Sequence, residues 1–328
     1  MSKQTVRRFN NKGYGDAGAS WRKRSLKGFK AHSGSAQEDI DFSNLTMRQR
    51  ARMLYMAAPL ATSAIKTTRT NVVGPGLMLS AKIDREFLGM TPGQADAWQR
   101  TTEKEFAMWA ENRQACDATG LNDFYELQQL ALLSWLQSGD VFCLFKSGAK
   151  TAANPYDLCL HIIEADRIAT PTPWKATGIT LTEGKNPETG NDIHDGVEVD
   201  SSGRVVAYHI RSNYPLELTM KTTDWERIEA VGKKTGMPNI LQILETERPD
   251  QYRGVSYLAQ VIEPLLQLRR YTEAEITAAM IESSFAGFIK TEARTDEMPM
   301  NETGDIEADE PSNPDEFNYG PGEFNVLK

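Results

Sequence analysis

Glu164 and Asp166 stand two positions apart at the end of the apolar run Leu158 to Ile163. Paired carboxylates at a strand end are the ligands with which a metal-dependent nuclease holds its divalent cation. The histidines, His32, His161, His194 and His209, are far apart in sequence. His161 and His209 fall in strand-like runs, where a hydrogen-bonded structural role is the ordinary one for imidazole. Three cysteines, Cys116, Cys143 and Cys159, form no CxxC pair, so neither a zinc site nor a disulfide framework follows. Cys143, between Phe142 and Leu144, reads as a small buried hydrophobe. Ser147-Gly148-Ala149-Lys150-Thr151 matches only the end of a phosphate loop. Gly13, Gly15 and Gly18 fit GxGxxG, but no strand precedes them. HExxH and GxSxG are both missing. The residues therefore assign no catalytic group, no cofactor and no metal centre, and the acidic pair is left as the one enzymatic alternative.

Composition limits the class of protein that must position these groups. With 40% hydrophobic and 25% charged residues, the 328-residue chain is built like a soluble globular protein of about two domains. There is no run of 18 apolar residues, and the basic start lacks the apolar stretch of a signal peptide. The expectation is a protein made in a reducing cytoplasm. Charge is uneven. Residues 1–30 carry nine Lys/Arg against Asp16, so this arm is +8 and the remainder −16. Residues 291–328 carry eleven Asp/Glu against Arg294 and Lys328, with four prolines among them. That end reads as an extended acidic tail. An acidic body disfavours tight nonspecific duplex binding, which rests on cations neutralising phosphates.

The apolar spacing predicts a helix capped by Ser43 or Asn44, interrupted at Pro59, resumed through Ala61, Ile65 and Lys66 and ended before Val72. Thr91-Pro92 predicts a second, ending near Asn112, and Asp123 to Ser138 a third, closed by Gly139. From Val141 the period changes to that of strands: Val141–Phe145, Leu158–Ile163, Val197–Val199 and Val205–Ile210, the last two joined by a hairpin at Asp200 to Gly203. Trp225–Val231 and Ile240–Leu244 predict a further strand pair. Ser256 then opens a helix of about 30 residues, ~45 Å long, with Pro264 as a kink or a first turn. The fold class is α+β.

The junction before that helix is the most specific segment. Arg248, Pro249, Gln251, Arg253, Gly254, Val255 and Ser256 follow the order of an Arg-Pro turn, a Gln and an Arg-Gly-Val-Ser run. In this the chain resembles the lambda-like family of tailed-phage portal proteins. Further blocks fall in the same order: Gly13-Tyr14-Gly15 and Trp21; Arg48, Arg50, Ala51, Arg52 and Leu54; Val72 to Gly76; Trp109, Cys116, Asp117 and Gly120; Ser138 to Phe142; Ile163 to Ile168; and Gly196-Val197-Glu198 with Gly203 to Tyr208. They span about residues 10–290. Gln242 stands where the family usually has a histidine, and the chain looks truncated, without the returning stem helix and crown.

The resemblance implies a portal-protein fold and a ring, usually of twelve subunits, at one capsid vertex. It implies a basic arm over 1–40, a wing over 41–255, a stem helix over 256–288 and the acidic start of a clip over 289–328. The partners it implies are the chain itself, the terminase large subunit, the major capsid protein and scaffold, head-completion proteins and double-stranded DNA in the channel, with no membrane. The location is the virion, with host cytoplasm during assembly. Arg269 and Arg270 are the candidate channel residues. The alternatives are the metal-dependent nuclease using Glu164 and Asp166, and a nonfunctional prophage fragment.

Overall fold

The computed structural model describes residues 18–20, 23–29, 33–148, 150, 154–175, 183–215, 217 and 222–284. Most of the basic arm over 1–40, the last four residues of the stem helix expected over 256–288, and the whole acidic stretch over 289–328 lie outside them. The chain divides into two compact units. The first takes in Met1–Leu45, Asp166–Ile240 and Glu245–Gly254, and the second Thr46–Ala165, Leu241–Leu244 and Val255–Lys328.

Helix α1 (Ala36–Ala57) starts seven residues before the expected cap. Ser35 and Glu38 form the reason: the Ser35 hydroxyl accepts from the Glu38 amide at 3.1 Å, and the Glu38 carboxylate accepts from the Ser35 amide at 3.1 Å. Asn44, expected as a cap, lies inside the helix, fully buried, and donates to the Gly254 carbonyl at 3.0 Å. Pro59 does end the run, since Ala58 turns extended and α2 (Pro59–Val72) begins with the proline in its first turn. Thr91 and Gln94 close a reciprocal capping box that opens α3 (Pro92–Ala110). A single-turn helix, α4 (Arg113–Cys116), follows, and then α5 (Phe124–Ser138). Asp123 and Glu126 cap α5, and Gly139 ends it at φ 92°, a left-handed conformation that glycine adopts without a Cβ penalty.

In the second unit β1 (Asp140–Lys146) pairs antiparallel with β2 (Cys159–Glu164), placing Phe142 opposite Ile163. The other neighbour of β1 is β8 (Ile240–Leu244). Gln242, in place of the family's usual histidine, donates its amide to Asp140 at 3.4 Å. Ala51, Leu54, Ile65, Leu132, Leu136 and Leu258 form one core of this unit, and Trp109, Cys116, Leu127, Cys143 and Leu160 a second.

The first unit holds a five-stranded antiparallel meander: β3 (Glu183–Lys185), β4 (Asp192–His194), β5 (Val197–Val199), β6 (Val205–Arg211) and β7 (Trp225–Glu229). The expected pairing of β7 with β8 does not occur. β7 pairs with β6, β8 joins the other sheet, and a single bridge from Val231 to Pro238 closes the turn between them. Helix α6 (Ile262–Ser284) also starts later than expected. Ser256 accepts from the Leu258 amide at 3.2 Å and caps a turn, a short 3-10 segment follows over Ala259–Val261, and Pro264 sits in the first turn of the helix proper. Over the described residues α6 spans 23 residues, or ~35 Å.

Candidate functional site

Polar chemistry in the first unit gathers on Glu198, which is fully buried. Its carboxylate accepts from Asn186 Nδ2 (3.1 Å), Thr189 Oγ1 (2.8 Å), Asn191 Nδ2 (2.9 Å), Arg227 Nε (2.7 Å) and Arg227 Nη2 (3.0 Å), and meets His209 Nε2 at 3.0 Å. Burial alone would raise its pKa, but the donors, Arg227 foremost, hold it well below the usual carboxylate range. Burial pushes the His209 pKa down despite the carboxylate beside it, so the ring is neutral at pH 7. An ionised carboxylate only accepts, hence Nε2 carries the proton. With six donors on two oxygens, the group has no lone pair left for substrate or metal. It ties β5, β6, β7 and the 186–191 loop together, and Trp174 closes edge-on over His209.

The junction that carried the sequence argument is a set of backbone clamps. Arg253, fully buried, donates to the Ile168 carbonyl at 2.9 Å and to the Asp195 carboxylate at 2.7 Å, and also binds the Asp195 carbonyl. Gln251 accepts from the amides of Glu247 (2.8 Å) and Arg248 (3.2 Å) and donates to the Arg253 carbonyl at 2.8 Å. Arg248 pairs with Asp39 and donates to the carbonyls of Ser35 (3.3 Å) and Gly34 (2.9 Å). From Val255 the chain belongs to the second unit. There Tyr257 donates its amide to the Leu136 carbonyl at 3.0 Å, and Leu258 enters the core. This fixes the root of α6.

Beyond that root α6 is unusual. Ile262 and Leu265 pack against the core, yet no residue of the helix is buried. Tyr271, Ile276, Met280 and Ile281 are all more than half exposed. These apolar side chains are spread around the helix and form no single stripe. Arg269 is held by Glu273 one turn on, at 2.9 Å, and Arg270 makes no hydrogen bond or ion pair to any described residue. The two arginines are consecutive, about 100° apart around the axis, so they face different directions.

The acidic pair named from the sequence stands at the end of β2 and in the short turn, Ala165–Arg167, that follows it. Glu164 ends β2 in the second unit, while Asp166 is a buried residue of the first unit whose charge bears on Arg211. Among the described residues no group of three His, Cys, Asp or Glu is placed to hold a metal ion. Burial pushes the Cys143 thiol up to about 11, as a small hydrophobe requires. The Glu198 cluster escaped the sequence reading because its donors come from three separate segments. The signal within reach was a charged residue between two strand valines.

The family model for "Phage portal protein, lambda family" matches residues 22–328. The chain belongs to that family. Among curated portal proteins, this portal chain is 26% identical to the "Probable portal protein" of Halomonas phage phiHAP-1 over 93% of its length and 51% of that protein. It is 21% identical to "Portal protein B" of Escherichia phage lambda over 72% and 41%, and 22% identical to the "Portal protein" of Escherichia phage N15 over 82% and 48%. The portal chain thus spans about half the length of the curated relatives it matches. No helix among its described residues is long and apolar enough to cross a membrane.

Proposed function

We propose that the chain is a subunit of the ring at the capsid vertex, through which DNA passes during packaging and ejection. In this reading residues 41–255 are wing, 256–288 the stem helix beside the channel, and 289–328 the start of the clip that meets the terminase large subunit. Capsid protein and scaffold adjoin the ring during assembly in host cytoplasm, and head-completion proteins bind it later in the virion. The ring itself is usually of twelve subunits and has no active site.

The observation that carries the reading is α6. A 23-residue helix with apolar side chains on all sides and nothing buried is stable only where neighbours cover it. In a ring, identical helices flank one another. The charge of α6 fits a channel. Glu263, Glu273, Glu275 and Glu282 against Arg269 and Arg270 leave −2 per subunit. A ~35 Å stretch of duplex presents about 20 phosphates, which a basic lining would hold fast and an acidic one lets slide. Arg270 is the better candidate for a local phosphate contact, because Arg269 is engaged with Glu273.

The test is sedimentation of the 328-residue chain and of an Ile276→Asp, Met280→Asp variant. The wild-type chain is expected to assemble. The variant is expected to stay monomeric with its thermal midpoint unchanged, since neither side chain is buried. Equal assembly of both, or a monomeric wild type at micromolar concentration, overturns the assignment of α6.

A further inference from the structure

The second unit has a large apolar groove that its described residues leave open. Leu79, Phe106, Trp109, Phe124, Phe145 and Leu160 line a cavity of about 540 Å³. Its floor is rigid: Phe106, Trp109 and Phe124 lie within 5.4–5.7 Å of one another by ring centroid, and Trp109 Nε1 donates to the Leu158 carbonyl at 2.9 Å. Glu105 sits on its rim.

The same unit also has a knob. Phe87 is 86% exposed and Leu88 55%. They do not hang on a loose loop. Asp84 accepts from the amides of Glu86 and Phe87 at 3.1 Å each, Leu88 donates to the Asp84 carbonyl at 3.2 Å, and Met90 donates to the Arg85 carbonyl at 2.9 Å. The preceding segment is pinned to α3, the Ala81 amide donating to the Glu103 carboxylate (2.8 Å) and the Ile83 amide to the Gln99 side-chain oxygen (3.1 Å). A hydrogen-bonded turn that presents a phenylalanine to water bears the cost of exposure while free and loses little entropy on docking.

These contacts carry the segment toward the N-terminal end of α3, whereas Phe106 and Trp109 stand on its C-terminal half. From Pro92 to Phe106 the helix rises ~21 Å. Knob and groove are therefore at opposite ends of one rigid element, and the knob cannot fill its own groove. Such a pair generates head-to-tail contacts, the class from which rings are built. Charge agrees: Arg85 is two residues from Phe87, and Glu105 borders the groove.

We propose that the Phe87-Leu88 turn of one copy seats in the aromatic groove of the next copy, with Arg85 facing Glu105. This rests on the ring reading and assigns it a wing contact distinct from α6. A buried phenylalanine contributes at most ~250 Å² to an interface that needs about 1,600 Å², so the turn is an anchor within a larger surface.

Glu86→Cys and Thr102→Cys, beside the anchor on the knob and on the groove lining, are made singly in the 328-residue chain, whose native cysteines are buried. A head-to-tail contact gives disulfide-linked dimers when the two variants are mixed and oxidised, and none from either alone. Phe87→Asp is expected to weaken assembly ~30-fold. Arg85→Glu is expected to weaken it ~fivefold, with recovery on adding Glu105→Arg. Assembly with no mixed cross-link means another occupant fills the groove, and overturns this contact alone. Glu86→Cys linking to itself overturns it in favour of a two-fold contact. A chain that stays monomeric throughout removes the ring reading and this proposal together.

Discussion

Glu198 takes six donors, and removing it leaves Arg227 with only the looser Glu229 contact at 3.8 Å and deprives Asn186, Thr189, Asn191 and His209 of their shared acceptor. Glu198→Ala is expected to cost about 3–5 kcal/mol by urea unfolding, whereas a solvated ion pair would cost under about 1. The cluster also sets a pH dependence. His209 has a folded pKa below the ordinary 6.5, so its contribution is complete above that value and is lost as pH falls through it. Glu198, lowered from 4.5, adds a second loss below that pH. The urea midpoint should therefore hold from pH 8 to 7, decline between 6.5 and 5, and fall steeply below 4.5. His209→Gln should flatten the first decline. A midpoint that rises on acidification to pH 5 would contradict the neutral imidazole.

Turns and caps decide where the elements start and what they hold. Asp195 and Gly196 join β4 to β5 with φ values of 43° and 88°, the two-residue hairpin that Asp-Gly favours. A Cβ on Gly196 would meet the Ala169 amide nitrogen at 2.5 Å. Gly196→Ala is thus expected to cost about 2–3 kcal/mol in a calorimetric scan, from left-handed strain and the clash together. The Asp-Gly signal was present in the sequence, but β3 and β4 are three residues each, too short to show a period. Helices α3 and α5 were legible because Thr91-Pro92, Asp123 and Gly139 punctuate them. The start of α1 was not, since Ser43 and Asn44 compete as caps with the Ser35 and Glu38 box that prevails. The partner choice of β7 is tertiary: nothing local says that Ala207 and Tyr208, rather than β8, complete its ladder. The junction residues were visible as a family pattern, but their roles as clamps depend on Ile168 and Asp195, some 58 to 85 positions away.

The molecule is polarised in charge and incomplete in burial. The +8 arm and the −16 remainder sit on one chain, and α6 leaves apolar residues exposed around its circumference. An isolated subunit with Phe87, Leu266, Ile276 and Met280 in water is a candidate for self-association, and heterologous contacts between identical chains either close or grow into filaments. The portal reading requires closure, with the −2 helix lining the hole. Negative-stain microscopy of the purified 328-residue chain tests this most directly. The account predicts closed rings of uniform diameter with a central stain-filled hole, whereas uniform monomers or open filaments at micromolar concentration would contradict it.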